Sequence, residues 1–181
     1  MELQRIREHW VDWATRYEAD LRSTTKTPTI KQHEIDAFAR AIQAIPPPPQ
    51  SALEVGCGNL INTLTLARRF PAIRWVATDY LPEMVANSVR NRDKEPDLAS
   101  RITVAPGDIR TADATPGAPF DVVLSDRVVI NLNTWQLQRE APDALVKSVR
   151  PGGHLLLIEN TTDGYGEQNG PRTAVGLPAR A

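Results

Sequence analysis

Glycine and aspartate residues follow successive apolar runs in the middle of the chain. Residues 53–60 read LEVGCGNL, so Gly56 and Gly58 end an apolar run directly before a helical pattern. Glycines at such a turn let the backbone bend sharply and let a ligand approach the main chain, while the start of the helix supplies unpaired N–H groups. Asp79 ends the next run, where a carboxylate can accept both hydroxyls of a ribose. Asp108 follows the third run, where it could receive the exocyclic amine of an adenine.

Two other nucleotide-binding motifs do not fit this loop. A dinucleotide-binding loop of the form G-x-G-x-x-G requires a third glycine at position 61, which is Ile61. A phosphate-binding loop requires Gly-Lys-Ser or Gly-Lys-Thr, and neither follows. A nicotinamide dehydrogenase is therefore disfavoured. The choice among nucleotide-binding families then depends on the acidic residues.

Apolar residues after position 50 alternate between strand and helix patterns. The patterns predict five strands and three helices, with strands at 52–56, 73–78, 101–105, 120–125 and 154–159 and helices at about 59–70, 82–92 and 134–149. Pro142 is expected to break the last helix near Ala141, and the glycine-rich residues 160–170 are expected to form a loop. This alternation predicts an α/β fold with a Rossmann-like, doubly wound and mostly parallel sheet.

The N-terminal part of the chain has a different pattern, typical of amphipathic helices. One helix is predicted over residues 1–22, where apolar residues recur at steps of three or four. Thr29 and Gln32 have the spacing of a capping box, so a second helix is expected from there to about position 45. Four consecutive prolines at 46–49 end that helix and form a stiff link.

The proline link divides the chain into an N-terminal helical segment, 1–50, and a core, 51–181. Composition limits the function classes: the chain has 181 residues, is 41% hydrophobic and carries a formal net charge of -1. The near-zero charge disfavours a nucleic-acid partner, and no apolar run approaches the roughly 20 residues that cross a membrane. With Cys57 as the one cysteine, no intrachain disulfide can form, and a cytoplasmic location is expected. The three histidines lack the spacing of metal ligands, so no metal is expected.

The glycine and acidic residues together resemble the motifs of class I S-adenosylmethionine-dependent methyltransferases. That family has an acidic residue and G-x-G-x-G after its first strand, and Glu54, Gly56 and Gly58 match this motif. It also has acidic residues after its second and third strands, which Asp79 and Asp108 match. The resemblance implies a Rossmann-like core that binds S-adenosylmethionine and releases S-adenosylhomocysteine.

The resemblance covers residues 51–160 closely, including the turn at 150–153 (RPGG) before an apolar strand. One position departs from the motif, because Leu60 stands where the family has its last glycine, and it is expected to narrow the space near the methionine part of the cofactor. The segment 125–132 (SDRVVINL) is similar to a branch that methylates small molecules. The expected function is therefore methyl transfer to a small-molecule acceptor, with the N-terminal helices as a two-helix lid over the site.

The resemblance also implies which residues form the site. The expected cofactor-binding residues are Glu54, Gly56, Cys57, Gly58, Asp79, Tyr80, Asp108, Ile109 and Ser125. A base is needed only if the acceptor must lose a proton. The candidates for that catalytic role are Asp126, His33 and Tyr17.

Several of these residues have structural alternatives. Glu54 could cap the glycine loop instead of contacting the cofactor, and Cys57 is better explained as a packing residue than as a nucleophile. His33 fits an exposed helix surface, and Tyr17 fits packing of the lid. Asp126 leaves the fourth strand together with Arg127, and either of them could face the acceptor. The acceptor atom (oxygen, nitrogen or carbon) is left open.

A second hypothesis makes the chain an inactive or split methyltransferase-like module that acts through protein–protein interaction. The resembling family continues past its fifth strand with two more strands, whereas no strand pattern follows residues 154–159 here. The fifth strand would then be an exposed apolar edge, which proteins normally cover. We expect this edge to pair with a second copy in a homodimer or with a partner chain.

Overall fold

The computed structural model describes residues 2–25 and 27–179, and the side chains of residues 2 and 3 are outside that description. Both ends of the predicted domain division, at residues 1 and 181, therefore lie outside the described residues. The centre of the fold is a five-stranded sheet in the order β3-β2-β1-β4-β5, in which each pair of neighbours is parallel. Its strands are β1 (Ser51–Val55), β2 (Arg74–Asp79), β3 (Ile102–Pro106), β4 (Phe120–Asp126) and β5 (Val149–Ile158).

Helices precede the sheet, connect its strands and follow it. They are α1 (Glu2–Tyr17), α2 (Pro28–Gln43), α3 (Ile61–Arg69), α4 (Pro82–Asp93), α5 (Pro96–Ala99), α6 (Trp135–Lys147) and α7 (Thr162–Ala174). Short 3-10 turns cover Leu21–Ser23, Ile109–Ala114 and Val129–Asn131. This arrangement confirms the predicted α/β, Rossmann-like fold, and the sheet is parallel throughout.

The central strands are buried on both faces because alternate side chains enter opposite halves of the core. Ala52 of β1 and Val122 of β4 join an apolar cluster with α2 and α3, whereas Leu53 and Val123 join a second cluster with α6 and the Ile109–Ala114 turn. These continuous apolar runs explain why the strands could be located from the sequence. The parallel order brings the carboxyl ends of β1, β2 and β4 to one edge of the sheet.

The two N-terminal helices have different positions. Phe38 and Ile42 of α2 are buried in the same cluster as the sheet, so α2 belongs to the core and only its first turns approach the carboxyl ends of the strands. The N-cap of α2 is Thr27, and Pro28 occupies the first turn. Thr29 therefore lies inside the helix, and the predicted capping box is wrong.

Helix α1 lies over α4 and ends at Tyr17, earlier than predicted. Ala14 packs with Met84 in a small apolar cluster. The Asn87 side chain also donates to the Ala14 carbonyl at 3.0 Å. These contacts hold α1 beside the carboxyl ends of the strands.

Two expectations about the C-terminal half are corrected. Helix α6 continues through Pro142, because Ala141 and Leu145 on either side are fully buried and their packing offsets the missing hydrogen bond. Residues 160–170 are not a loop, because most of them lie in α7. The Thr161 hydroxyl caps this helix by accepting from the Gly164 N–H at 3.1 Å.

Strand β5 forms one edge of the sheet and pairs with β4 alone among the described residues. It begins at Val149, so the predicted turn at 150–153 lies within the strand, beside an irregularity in its register with β4. Leu157 is 42% exposed there, and no residue of α7 is buried. Of the helices in the described residues, none is long and apolar enough to cross a membrane.

Candidate active site

A cavity of about 560 Å³ opens at the carboxyl ends of β1, β2 and β4. Its volume is in the range of small-molecule and cofactor sites. Seven of the nine predicted cofactor-binding residues line it, namely Gly56, Cys57, Gly58, Asp79, Tyr80, Asp108 and Ile109. In open α/β sheets, ligands bind at this edge of the sheet.

The remaining two predicted residues are not part of the lining. Glu54 and Ser125 are buried behind its wall and do not line it. Most residues of this wall could therefore be predicted from the sequence, because the residues that follow parallel strands lie at one edge of the sheet.

The glycine loop after β1 has a backbone shape that requires glycine. Gly56 and Gly58 both have positive φ, +75° and +55°. A Cβ atom at Gly56 would overlap the Val128 side chain, and one at Gly58 would overlap the Thr24 methyl group. The N–H groups of Gly56 and Cys57 also donate to one carbonyl, that of Thr78 in β2, at 2.8 and 2.9 Å. The loop is thus fixed by its own backbone and packed from two sides.

Leu60 does not have the expected effect on this cavity. It adopts a left-handed conformation, with φ of 71°, at the N-cap of α3. Its side chain is fully buried in the core and does not line the cavity. The expectation that Leu60 narrows the cofactor space is therefore wrong, since the side chain points into the protein.

Asp79 joins the end of β2 to the glycine loop. Its carboxylate accepts hydrogen bonds from the N–H of Gly58 at 2.8 Å and from the N–H of Leu81 at 3.0 Å. Burial raises the pKa of Asp79, and these backbone donors oppose that rise. A carboxylate has about four acceptor positions, so both oxygens can accept further donors from a ligand. Tyr80, next in the chain, is largely exposed at the mouth of the cavity.

Asp108 lies at the far side of the cavity, after β3. Its side chain caps the following turn by accepting from the Arg110 N–H at 2.9 Å, and it also pairs with the Arg110 guanidinium. This pairing lowers the pKa of Asp108. The neighbouring Ile109 is buried and adds an apolar surface to the wall. A polar group beside an apolar surface suits a flat heterocycle such as adenine.

Glu54 has a structural position. The Asn62 side chain donates to its Oε1 at 2.9 Å, and the Thr63 N–H donates to its Oε2 at 3.1 Å. The Thr63 hydroxyl donates to the same Oε2. Burial raises the pKa of Glu54 to about 7. Glu54 therefore holds the first turn of α3 behind the glycine loop, as the capping alternative predicted.

Asp126 lines the cavity at the end of β4 and belongs to a buried cluster of charges. Lys31 of α2 donates to Asp126 Oδ2 at 2.5 Å and lies 2.9 Å from Glu34 Oε2. Asn62 also donates to Asp126 Oδ2, at 3.1 Å. Arg127 pairs with Glu34 at 3.2 Å. The cluster links α2, α3 and β4 at the wall of the cavity.

Sequence reasoning missed Lys31, Glu34 and Asn62. The first two are three residues apart on a helix, a spacing typical of an exposed ion pair. Lys31 reaches Asp126 across 95 residues of sequence, and no local pattern reports such a contact. Of this cluster, only Asp126 and Arg127 could be predicted, from their position at the end of the fourth strand.

The other two candidate bases lie outside the cavity. His33 is exposed on α2, and Tyr17 packs between Trp13 and the Arg22 guanidinium, with ring and charge about 5 Å apart. Neither side chain lines the cavity. His33 thus lies on an exposed helix surface and Tyr17 packs against its neighbours, which are the structural alternatives to a catalytic role.

The remaining wall comes from the segment after β4. The Glu159 carboxylate, just after β5, accepts from the N–H groups of Val128, Val129 and Ile130 at 2.8 to 3.2 Å. The Trp10 indole of α1 donates to the Asn131 side chain at 3.1 Å. These contacts tie α1 and the end of β5 to the segment after β4 that lines the cavity.

Cys57 is buried, and its thiol lies 3.4 Å from the Ser88 hydroxyl. Burial raises the pKa of this thiol well above its usual value. A buried thiol that keeps its proton packs the loop and is a poor nucleophile. No group of three or more potential metal ligands occurs among the described residues.

Comparison with known proteins agrees with this geometry. The biotin biosynthesis bifunctional protein BioCD of Bordetella avium is 27% identical over 151 residues, which are 82% of this chain and 30% of that protein. The chain thus spans less than a third of this curated relative.

Solved structures share the fold. The N-methyltransferase NodS of Bradyrhizobium japonicum, in complex with S-adenosyl-L-homocysteine, has a TM-score of 0.67 and 21% identity, over 84% of this chain and 71% of that one. CalS10 of Micromonospora echinaspora, an amino pentose methyltransferase bound to S-adenosylmethionine, has a TM-score of 0.59 and 30% identity, over 71% of this chain and 50% of that one. Residues 52–153 match the model of the methyltransferase domain family, which is more than half of the chain. The chain therefore belongs to the methyltransferase domain family.

Proposed function

We propose that this protein binds S-adenosylmethionine and transfers its methyl group to a small-molecule acceptor. The observation that carries the proposal is the joining of Gly58 to Asp79 at the wall of the cavity, which places a buried carboxylate beside a glycine turn. The presence of S-adenosylmethionine or its product in the related structures of CalS10 and NodS supports this assignment.

The residues of the cavity fit the proposed cofactor. Asp79 has acceptor positions to spare for the two hydroxyls of a ribose. Asp108 and Ile109 offer a polar and an apolar surface to the adenine, and the glycine loop lets the ligand approach the main chain. Bound S-adenosylmethionine supplies a methyl group on a positively charged sulfur, which is reactive without further activation.

The protein's own contribution is then alignment and the exclusion of water. Alignment of two reactants can lower a barrier by roughly 7–11 kcal/mol. Trp10 and the segment held by Glu159 close the cavity, so they exclude water from the reacting groups. Asp126 is the one candidate base that lines the cavity.

Equilibrium dialysis with labelled S-adenosylmethionine, followed by a turnover assay over a panel of small acceptors, tests this function. We expect saturable binding and release of S-adenosylhomocysteine with at least one acceptor. A folded sample that binds no cofactor contradicts the proposal.

The exposed edge of β5 favours a second candidate, an interaction module. Leu157 is exposed there, and an unpaired edge strand is a ready template for pairing with another strand. We propose a homodimer through β5, in which the two strands run antiparallel about a twofold axis. Light scattering after size-exclusion chromatography should then give twice the mass of 20.0 kDa, and a stable monomer contradicts it. Cofactor binding without turnover would favour a module of this kind over an enzyme. The single cysteine, Cys57, supports a cytoplasmic location.

A further inference from the structure

One cation of the cavity wall, Arg7 of α1, has no partner among the described residues. The cations that line the cavity are Arg7, Lys31, Arg110 and Arg127. Arg110 pairs with Asp108 at 2.5 Å, and the next two are held in the buried cluster of charges at the end of β4. Arg7 makes no ion pair or hydrogen bond with the described part of the chain, and its side chain is exposed.

The carboxylates that line the cavity do not offset this charge. Asp108 and Asp126 are the partners of the other cations. Asp79 is buried and accepts from the backbone N–H groups of Gly58 and Leu81. A bound anion would therefore supply the partner that Arg7 lacks.

Helix α1 places Arg7 on the β4 side of the cavity. The Ala14 carbonyl accepts from α4, which follows β2, and the Trp10 indole donates to Asn131, which follows β4. From Ala14 back to Trp10, the helix thus passes from the β2 side of the cavity to the β4 side. Arg7 lies about one helical turn further in the same direction.

The β4 side is the half of the cavity that the proposed cofactor contacts leave open. Asp79 and Asp108, the proposed partners of the ribose and the adenine, follow β2 and β3, whereas β4 and β5 lie on the other side of β1. The acceptor would therefore occupy the half beside β4 and β5. Asn160, just after β5, also lines the cavity, and its amide makes no hydrogen bond with the residues that the structure describes.

The wall around Arg7 is otherwise apolar. It is formed by side chains of α1, of the segment after β4 and of α6, namely Ile6, Trp10, Ile130, Leu132 and Leu137. Asn131 adds little polarity, because its Oδ1 accepts from Trp10 and its Nδ2 donates to the Arg127 carbonyl at 2.7 Å. Ile130 is 39% exposed, so a bound apolar group would bury it further.

We propose that the acceptor is an apolar small molecule with an anionic group, a carboxylate or a phosphate, that pairs with the guanidinium of Arg7. This inference rests on the proposed function. A guanidinium presents its N–H donors in a planar fork that fits both kinds of anion. Arg7 selects and orients the acceptor and takes no part in bond making, so it is a specificity-determining residue.

Calorimetric titration of matched probes into the protein saturated with S-adenosylhomocysteine tests the anion site. Phenylacetate, 2-phenylethanol and 2-phenylethylamine share a ring and differ in charge, phenyl phosphate carries the other kind of anion, and acetate lacks the ring. We expect the tighter-binding of the two aromatic anions to exceed the alcohol in affinity by at least about fivefold, because a charge-assisted pair is lost in the alcohol.

The same titrations contain the results that overturn the inference. These are a preference for the amine, equal affinities of the alcohol and both aromatic anions, or no binding of either anion. Acetate that binds as tightly as phenylacetate overturns the apolar part of the proposal. The preferred anion identifies the group as a carboxylate or a phosphate.

Variants of Arg7 separate the anion site from the cofactor site. Arg7→Gln should abolish the preference for the anion and keep the affinity for S-adenosylhomocysteine, whereas Arg7→Lys keeps the charge and should retain part of the preference. Added salt should weaken anion binding in the wild type more than in Arg7→Gln, because exposed charges are screened. Arg5→Gln, on the same helix and outside the cavity lining, is the matched control and should bind like the wild type.

Two results for Arg7→Gln contradict this assignment. An unchanged preference for the anion removes Arg7 from the site. A loss of affinity for S-adenosylhomocysteine shows that the guanidinium holds the carboxylate of the cofactor, and it also overturns the inference.

The outcomes also separate this inference from the proposed function. Failure of the wild type to bind S-adenosylhomocysteine contradicts the proposed function, whatever the probes do. Binding of S-adenosylhomocysteine without a preference for either anion contradicts the anion site alone.

Discussion

The N–H of Gly58 donates a hydrogen bond of 2.8 Å to Asp79 Oδ2, which joins the glycine loop after β1 to the end of β2. The two residues are 21 positions apart in sequence. Their contact fixes the loop and the carboxylate together, so that a change at Asp79 affects both the shape of the cavity and its capacity to accept ligand donors.

Asp79→Asn should weaken the binding of S-adenosylhomocysteine by about 1–3 kcal/mol, which is roughly 5- to 150-fold. The amide has one acceptor oxygen, so it cannot accept from Gly58, Leu81 and both ribose hydroxyls. Isothermal titration calorimetry measures the change. Asp97→Asn, at an exposed carboxylate of α5, is the control and should bind like the wild type. Equal affinities for all three proteins would remove Asp79 from the site.

Gly56→Ala should lower the free energy of unfolding by at least about 1–3 kcal/mol. Its positive φ disfavours an L side chain, and the new Cβ would overlap Val128. Gly166→Ala in α7 is the matched control, because nothing lies within 4 Å of its added Cβ. Since alanine favours a helix, that control should be neutral or more stable by roughly 0.5–1 kcal/mol. Urea denaturation measures both, and a neutral Gly56→Ala would show that the loop is not fixed as described.

Glu54→Gln should remove a pH dependence of stability. The pKa of Glu54 rises from 4.5 to about 7 in the folded protein, mainly through burial. The folded state therefore holds this proton more tightly than the unfolded state. The stability it contributes is fully present below pH 4.5 and is lost as the pH rises through about 7.

The wild-type free energy of unfolding should thus fall across that interval, by up to about 3 kcal/mol from this residue. Urea denaturation at several pH values should give a flatter profile for Glu54→Gln. Glu167→Gln, at an exposed site on α7, should keep the wild-type slope. Parallel profiles for wild type and Glu54→Gln would mean that Glu54 does not titrate in this interval.

Glu159→Ala should loosen the wall of the cavity after β4. Its carboxylate accepts from the N–H groups of Val128, Val129 and Ile130, and all three lose their acceptor in the variant. Hydrogen exchange of these amides should become at least about fivefold faster, as expected if one or more hydrogen bonds of about 1 kcal/mol are lost. Glu167→Ala is the control, and unchanged exchange at 128–130 would show that other contacts hold the segment.

The parts of the fold that could be predicted depend on local patterns. Continuous apolar runs located the strands, and the residues directly after them, such as Gly58, Asp79 and Asp108, located most of the cavity wall. Because parallel strands end at one edge of the sheet, the sequence order of these residues was enough to place them together.

The parts that could not be predicted depend on long-range contacts. The pairing of Lys31 with Asp126 joins α2 to the end of β4, and that of Glu159 with Val128 joins the end of β5 to the cavity wall. Pro142 misled the prediction because burial of its neighbours outweighed its helix-breaking tendency. Residues 160–170 were predicted as a loop because their glycines favour one, although the Thr161 cap begins a helix there.

Calorimetric titration of S-adenosylhomocysteine into the wild-type protein tests the central claim most directly. The cavity, the glycine loop and Asp79 predict one saturable site per chain with a dissociation constant in the micromolar range, corresponding to about −8 kcal/mol at 1 μM. No heat of binding from a folded sample at millimolar ligand would contradict the claim that this cavity holds S-adenosylmethionine.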